Sequence, residues 1–432
     1  MAGPGQCLAR SFARPNGGAG ARSCQRTTQW AAAPGVLRSR PEPLLQFDPP
    51  AFAVPPSLRW ALVRAFGPVG QAWPAPPAGR EALDLARRFD LAARIGGRHP
   101  LPSLAAEVGA QAASAFTLEH EAARRAAAFL GKVAAEVAGV AASLGVPIVL
   151  LKFAALRASG LVADGLRAAG DVDVLAPPDR ARALAAALGT LGLTPAGFGA
   201  EAHQLPQLRD GGGRCVEVHV HVPEVRVSPG APPVTLDALA SRGLLRRTGL
   251  PGECSVPLPH VMTAHAVVHG LVHHGFAPDG YPALRLVGDL IALGAHEDGG
   301  ALACAALTLV VDEIGPDEME AAVALAARLA RADATLFEPG PSPEATLLRH
   351  VVSGRLDVDY GRSLRLRAVG ARRWTLARAA HALVLTDAQI DVVYGPPRSR
   401  LGYMGRRLAR PFDLVRRIVR YAAAAARVRL RR

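Results

Sequence analysis

Cysteine is scarce in this sequence, and the few cysteines are scattered. The 432 residues contain five, and none is separated from another by two residues. A Cys-x-x-Cys pair marks many zinc sites and redox motifs, and a disulfide framework needs an even, regularly spaced set. The pattern excludes both, and it predicts a protein of the reducing cytoplasm. The five cysteines are Cys7, Cys24, Cys215, Cys254 and Cys304.

Long apolar runs are missing as well. No stretch of about 18 residues is both apolar and uncharged, so we expect no membrane-spanning helix. The chain also lacks an early compact apolar stretch of the kind found in a secretory signal. Residues 1–50 are instead rich in arginine, glycine and proline. This composition predicts a disordered tail, or a misassigned start, in a GC-rich bacterial gene; it is also similar to that of a transit peptide.

Two glycine motifs of nucleotide-binding proteins are absent, and aromatic residues are few. The sequence has neither a G-x-x-x-x-G-K-[ST] loop nor a G-x-G-x-x-G fingerprint, which excludes the P-loop and Rossmann classes. Aromatic residues make up 5% of the chain, although half of its residues are hydrophobic. A chain rich in alanine and leucine with few aromatics favours helices over an all-β sandwich.

Lysine is nearly absent, so arginine supplies almost all of the positive charge; the two lysines are Lys132 and Lys152. The net charge of +14 is unevenly distributed. Residues 1–41 carry six arginines and no acid, and residues 398–432 carry twelve arginines and one acid. The middle, 42–397, holds the other 32 basic and 35 acidic residues, a net charge of −3. The basic character therefore belongs to the two ends of the chain.

The C-terminal end, 398–432, is predicted to be a basic amphipathic tail whose helix begins at Pro411. Apolar residues recur there at helical spacing, and the arginines lie largely off that stripe. Three interpretations stay open: binding to an anionic membrane, contact with nucleic acid, or docking on the protein itself with the arginines solvated. The stripe consists of Phe412, Val415, Ile418, Val419 and Ala422, and the arginines are Arg416, Arg417, Arg420 and Arg427.

Hydrophobic periodicity divides the middle of the chain into three parts. Residues 51–144 form an N-terminal helical region, in which apolar residues recur every three or four positions. Residues 145–230 contain short apolar or alternating runs, which predict the strands of a small mixed sheet. Residues 231–397 are mostly helical again. We therefore predict an α+β fold in which a small mixed-sheet domain is flanked by helical segments.

Three acids lie on the same faces of two alternating strands. In the first strand, Asp171 and Asp173 share one face, and the two valines that alternate with them enter a core. The second strand repeats the pattern with Glu217 and His219. If the two strands pair, the three carboxylates converge at a spacing of about 5 Å, where their repulsion requires a cation. Magnesium, a hard ion that prefers oxygen ligands, is the natural candidate.

Together with their neighbours, these acids resemble a known family. Lys152 follows an apolar run, Arg167 precedes the Asp-x-Asp strand, and a Glu-x-His strand follows. This order resembles the uncharacterised bacterial nucleotidyltransferase family, within the DNA polymerase beta-type nucleotidyltransferase superfamily. The resemblance covers residues 145–222 closely. It extends more loosely to about residue 295, through a leucine-rich helix that contains Arg285 and Asp289.

The resemblance implies a Mg²⁺-dependent enzyme that moves a nucleotidyl group from an NTP to a hydroxyl acceptor. It implies that Asp171 and Asp173 bridge two metal ions, and that Glu217 holds one of them and orients or deprotonates the acceptor. By the same resemblance, Lys152 and Arg167 contact the triphosphate. His219 is expected to support the ligands and not to bind the metal.

Two positions depart from the family pattern. Phe153 stands where the family has glycine after the lysine, and Val220 stands where it has an aromatic residue after the histidine. Glycine lets backbone amides approach a phosphate closely, and phenylalanine does not. Two alternatives therefore stay open. One is a non-catalytic binding or assembly module in which Phe153 blocks the triphosphate, and the other is a protein that binds nucleic acid or a membrane surface through its basic tail.

Histidines recur every four residues at His265, His269 and His273. On a helix they share one face, and such a face is able to bind zinc. No acidic or cysteine partner stands close in sequence, and the valines and leucine between them indicate an ordinary core helix. Histidines that face the active-site cleft are the intermediate interpretation.

Overall fold

The computed structural model describes most of the chain after the N-terminal tail. The described residues are 45, 53–70, 77–196, 203–226, 231–273, 284–310, 313–338, 340, 342–357, 360, 385, 387–394, 397 and 399–430. They all belong to one compact unit, Arg38–Arg432. The predicted disordered tail, 1–50, lies outside the described residues except for Leu45.

Before the sheet, the described chain is helical. The helices are α1 (Pro56–Phe66), α2 (Gly79–Arg88), α3 (Ala92–Arg98), α4 (Leu101–Val108) and α5 (Ala110–Ser143). Proline stands in the first turn of α1 and of α4, where its missing N–H has no intrahelical partner to lose. The buried face of α5 carries residues three or four positions apart, among them Leu130, Val133 and Val137. This face packs against the sheet.

By length and composition alone, α5 is apolar enough to cross a membrane. One window of this helix has a mean hydropathy of 1.4, and 39% of that window is buried inside the protein. The helices Leu284–Ala292 and Ala295–Leu307 pass the same test only as a pair, across a bend of 99°. The core helix of a globular protein meets these criteria too. The absence of a membrane-spanning segment therefore stays a prediction.

The strands of the main sheet are β1 (Ile148–Leu150), β2 (Val172–Leu175), β3 (Thr194–Pro195), β4 (Leu208–Arg209), β5 (Cys215–His219), β8 (Leu245–Arg247) and β9 (Cys254–Pro257). Their order across the sheet is β3-β4-β5-β2-β1-β9-β8. β1 is antiparallel to β2 and parallel to β9, and β2 is parallel to β5. A separate small sheet pairs β6 (Val222–Arg226) with β7 (Pro233–Val234). This mixed sheet among helices confirms the predicted α+β class.

Two strands of the main sheet lie beyond residue 230, where the sequence reads as mostly helical. β8 and β9 form a hairpin with Leu245 opposite Pro257, and β9 also pairs with the central strand β1. β8 has the sequence Leu-Arg-Arg and β9 the sequence Cys-Ser-Val-Pro, so neither contains the apolar run or the sustained alternation that predicts a strand. Their pairing with β1, a contact distant in sequence, places them in the sheet.

The other helices surround the sheet or follow it. They are α6 (Lys152–Ala158), α7 (Ala181–Ala187), α8 (Leu236–Ser241), α9 (Pro259–Val267), α10 (Leu284–Ala292), α11 (Ala295–Leu307), α12 (Pro316–Ala330), α13 (Pro343–Leu356), α14 (Asp387–Tyr394) and α15 (Arg400–Leu430). α9 continues into a π-helical turn, Val268–His273.

The predicted start of the last helix at Pro411 is wrong. α15 begins at Arg400 and continues through Pro411. Proline is favoured at a helix start, and for this reason the sequence pattern suggested one there. Within a helix, proline leaves only the carbonyl four residues earlier without its donor, so a long helix is able to continue past it.

Hydrophobic residues collect on both faces of the main sheet. Because side chains of a strand alternate, Ile148 and Leu150 enter a core with α5, whereas Val149 enters the core of the surrounding helices. Val172 and Val174 enter the core with α5, as their alternation predicts. The opposite face of β2 carries Asp173, and the candidate site is built on that face.

Candidate active site

The register of two parallel strands places two carboxylates side by side. β2 and β5 are neighbours, and Asp173 stands directly opposite Glu217. His219 lies two residues further along β5, on the same face as Glu217. Asp171 immediately precedes β2 and lines the same cleft. The structure therefore brings together the acids that the alternating pattern selected.

Lys152 reaches this cluster from the end of β1. It is the first residue of α6, and its backbone has a left-handed φ of +47°. This conformation costs about 1–2 kcal/mol for a residue other than glycine. The Lys152 Nζ lies 2.7 Å from the Asp173 Oδ1 and 3.8 Å from the Glu217 Oε2. The strained turn thus aims the ammonium group between the two carboxylates.

His219 holds the same two acids from the other side. Its Nε2 donates to the Asp173 Oδ1 at 3.0 Å and lies 3.6 Å from the Glu217 Oε2. The Gln207 Nε2 donates to the Glu217 Oε1 at 2.8 Å. Each carboxylate therefore has a fixed orientation, as an arrangement of ligands requires.

Burial and charge shift the pKa values of this cluster in opposite directions. Burial favours the neutral form of Asp173, but Lys152 and His219 outweigh it and hold the pKa of Asp173 well below its usual value. The pKa of His219 is raised, because its hydrogen bonds to Asp173 and Glu217 outweigh the effect of its burial. Burial and the charge of Asp173 raise the pKa of Asp171 to about 6. Of the two aspartates, Asp173 is therefore the more firmly ionised.

The raised pKa of Asp171 makes the stability of the metal-free protein depend on pH. Burial and the charges of Asp173 and Glu217 raise the pKa of Asp171, whereas Lys152 and Arg167 oppose the rise. The folded pKa of about 6 exceeds the ordinary 3.8, so the folded state binds the proton of Asp171 more tightly than the unfolded state does. The stabilisation that results is fully present below about pH 4. It is lost as the pH rises through 6.

Urea unfolding of EDTA-treated protein between about pH 4 and pH 7 tests this expectation. The matched variant is Asp171→Asn, whose amide does not titrate. The free energy of unfolding of the wild type should fall relative to that of the variant as the pH rises. A difference between the two proteins that stays constant over this range would contradict the prediction.

The cluster has a donor set that fits a divalent cation. One atom each of Asp173, Glu217 and His219 lies within 4.8 Å of the others. The carboxylate oxygens suit a hard ion such as Mg²⁺, whereas an imidazole suits softer metals. His219 donates a hydrogen bond to the Asp173 carboxylate; that it supports the ligands and does not bind the metal stays a prediction. Among the described residues, Asp171 is not part of this tight group, although its carboxyl lines the same cleft.

Arg167 lies at the edge of the cleft in a buried ion pair. Its Nε is 2.8 Å from the Asp289 Oδ1, and the two side chains are 8% and 6% exposed. Asp289 belongs to α10, the leucine-rich helix that the family resemblance singled out. The guanidinium also lies over the ring of Phe153, 5.2 Å from its centroid. Whether Arg167 also contacts a triphosphate stays a prediction.

Phe153 lines the cleft without crossing it. Its ring is 3% exposed and belongs to the core with α5. Arg167 lies over the ring, and both residues line the cleft. The replacement of the family's glycine thus builds a hydrophobic support for an arginine, and the cleft above it stays open.

The cleft itself has a volume of about 370 Å³. The residues that line it include the acids and Lys152, together with His265, His269 and Arg285 from the helical part of the chain. The rings of His265 and His269 lie 5.7 Å apart. The two histidines therefore line the cleft, as one interpretation of the four-residue histidine spacing expects. The side chain of His273 lies outside the described part of the structure.

Two side chains around the site were not predicted. His203 packs its ring on that of His219, at 5.7 Å between centroids, and Gln207 orients Glu217. Both lie in the connection before β4, where no motif distinguishes them. Their position depends on the pairing of β4 with β5, which the sequence does not reveal.

The fold and this cluster define the class of the protein: an α+β nucleotidyltransferase domain with an acidic cleft. A family model described as uncharacterised nucleotidyltransferase matches residues 79–331, more than half of the chain. The chain therefore belongs to this family, which confirms the resemblance seen in the sequence. Searches of curated proteins and of solved structures gave no match.

Proposed function

We propose that this chain is an active, Mg²⁺-dependent enzyme of the bacterial cytoplasm that transfers a nucleotidyl group from an NTP to a hydroxyl acceptor. One observation carries the proposal. Asp173 and Glu217 stand opposite each other on parallel strands, with Lys152 between them, at the base of an open cleft. A volume of about 370 Å³ is within the range of small-ligand sites.

Asp171, Asp173 and Glu217 would hold the metal. When bound, two Mg²⁺ ions would neutralise phosphate charge and stabilise the attacking and leaving oxygens. The metal would neutralise the negative charge of three carboxylates, which have Lys152 and His219 as nearby cationic partners. The low pKa of Asp173 supports this assignment, because an ionised carboxylate needs no proton release before it binds a cation.

The chain's own groups would bind and orient the substrates. Lys152 already lies between two acids, and since its ammonium group has three N–H donors, one of them would be available to a phosphate oxygen. His219 keeps Asp173 in place through its hydrogen bond. Glu217 would orient the acceptor hydroxyl or take its proton through Oε2, which lies 3.6 Å from the His219 Nε2 and 3.8 Å from the Lys152 Nζ, while Gln207 holds Oε1.

The position of Phe153 favours this proposal over a non-catalytic module. A blocked site would need the ring to project among the acids. The ring instead lies in the core under Arg167. The phosphates would therefore meet the guanidinium and the ammonium groups, and they would depend less on backbone amides than in relatives with glycine at this position.

The proposal involves no residue of the basic tail. Among the residues that the structure describes, none of 398–432 lines the cleft. Binding of a partner by the tail is therefore considered apart from binding of the NTP and its acceptor in the cleft.

A transfer assay with radiolabelled NTP and Mg²⁺ tests the proposal. We expect labelling of the protein or of an added hydroxyl acceptor, and loss of the label in Asp171→Asn. Calorimetry with the same NTP should show binding in the presence of Mg²⁺. No NTP binding, with or without metal, would rule out the enzymatic function and favour the non-catalytic module.

A further inference from the structure

The last helix, α15, exposes its apolar side chains on one narrow face. Leu401, Leu408 and Phe412 are 76%, 72% and 77% exposed, and Met404 and Val415 are 58% and 60% exposed. Their spacings of three and four residues place all five within an arc of about 80° on the helix. The other large apolar side chains exposed in the described part are Val69, Leu101, Leu118, Phe129 and Leu144, none within four residues of another. These five residues form the exposed apolar stripe of α15.

The opposite face of α15 docks on the protein through polar side chains. The Tyr403 hydroxyl donates to Asp391 at 2.8 Å, and Arg407 pairs with Asp387, both on α14. Arg410 is only 7% exposed. A helix on a globular protein normally buries its apolar face and solvates its charges. The hypothesis that the apolar face docks on the protein is therefore wrong for Phe412 and Val415.

The charge of α15 limits what covers this stripe. The helix contains nine arginines and one acid, Asp413. A second copy packed on the stripe would bring another strongly basic helix alongside, and like charges at such an interface are costly. Nucleic acid would satisfy the arginines and leave the apolar residues in water. An anionic lipid surface satisfies both, because it offers negative headgroups above an apolar interior.

We propose that α15 binds the protein to the surface of an anionic lipid bilayer. The apolar stripe enters the boundary between headgroups and acyl chains, and the helix stays docked on α14. Arg400 and Arg416 are exposed and flank the stripe on its two sides, where they reach lipid phosphates. The proposal rests on the exposed face of α15 alone and is independent of the chemistry in the cleft.

Cosedimentation of the full-length protein with vesicles tests the proposal. The vesicles are phosphatidylcholine alone, and phosphatidylcholine mixed with phosphatidylglycerol. We expect binding to the mixed vesicles only, weakened by salt. The double variant Leu408→Glu/Phe412→Glu should bind at least about tenfold more weakly, because it places two charges in the apolar stripe.

The matched control is Leu118→Glu, which changes a side chain that is 68% exposed on α5. It should bind vesicles as the wild type does. Circular dichroism and thermal unfolding check that both variants fold; the replaced side chains are all exposed, so we expect no change in melting temperature.

Three results would overturn the proposal. The first is a wild-type protein that does not sediment with the mixed vesicles. The second is a wild-type dimer, in sedimentation velocity, that the double variant converts to a monomer, since a second copy then covers the stripe. The third is vesicle binding that the double variant retains and an RNA oligonucleotide abolishes, since the arginines alone then carry the binding.

Discussion

Replacement of Asp173 by asparagine is expected to lower nucleotidyl transfer by about a thousandfold, which corresponds to about 4 kcal/mol of lost transition-state stabilisation. The side chain is 3% exposed, and both Lys152 and His219 contact its Oδ1. The amide keeps the size of the side chain but loses the charge that the cations and the proposed metal require. The rate of transfer from radiolabelled NTP with saturating Mg²⁺ measures the effect.

The matched control for this change is Asp164→Asn. Asp164 also pairs with a cation, Arg157, at 2.8 Å, but its side chain is 35% exposed. Neither of these two residues lines the cleft among the described residues. We expect this variant to keep the wild-type rate. Wild-type transfer in Asp173→Asn would contradict the proposed site, whereas a loss in both variants would point to a general effect on folding.

Replacement of Asp289 by alanine is expected to destabilise the protein by about 3–5 kcal/mol. The ion pair that it forms with Arg167 is buried on both sides. Its loss leaves the guanidinium without its carboxylate partner in a site of low polarity, and the desolvation cost is then uncompensated. Urea unfolding measures the change in the free energy of unfolding.

Two further variants identify the cause of this loss. Glu253→Ala removes a surface ion pair with Arg247, in which the side chains are 66% and 61% exposed, and should cost no more than about 1 kcal/mol. The double variant Arg167→Met/Asp289→Leu removes both charges and should recover much of the loss. If Asp289→Ala costs as little as Glu253→Ala, the pair does not stabilise the fold.

Alternation along single strands accounts for what the sequence predicted about the site. Val172 and Val174 lie in the core, so Asp173 occupies the other face. The same rule put Glu217 and His219 on one face of β5. Such a prediction succeeds because the side-chain direction of a strand depends only on neighbours along the chain.

Contacts between distant residues account for what was not predicted. The ion pair of Arg167 with Asp289, the insertion of β9 beside β1 and the packing of His203 on His219 all join separate elements. A sequence contains no local pattern for such contacts. The sequence placed His219 on the face of the acids, but its hydrogen bond to Asp173 depends on the register of β2 with β5.

The sequence by itself determined the class of fold, the family and the face on which the acids lie, because periodicity and motif order are local properties of the chain. Only the tertiary structure decided which groups meet in the cleft and where the ring of Phe153 lies. It also decided which face of α15 is left to solvent: the apolar pattern identifies an amphipathic helix, but the partners of Tyr403 and Arg407 on α14 turn its apolar side outward. The reason is the same in each case: side-chain direction within an element is local, whereas the choice of neighbour depends on packing across the whole fold.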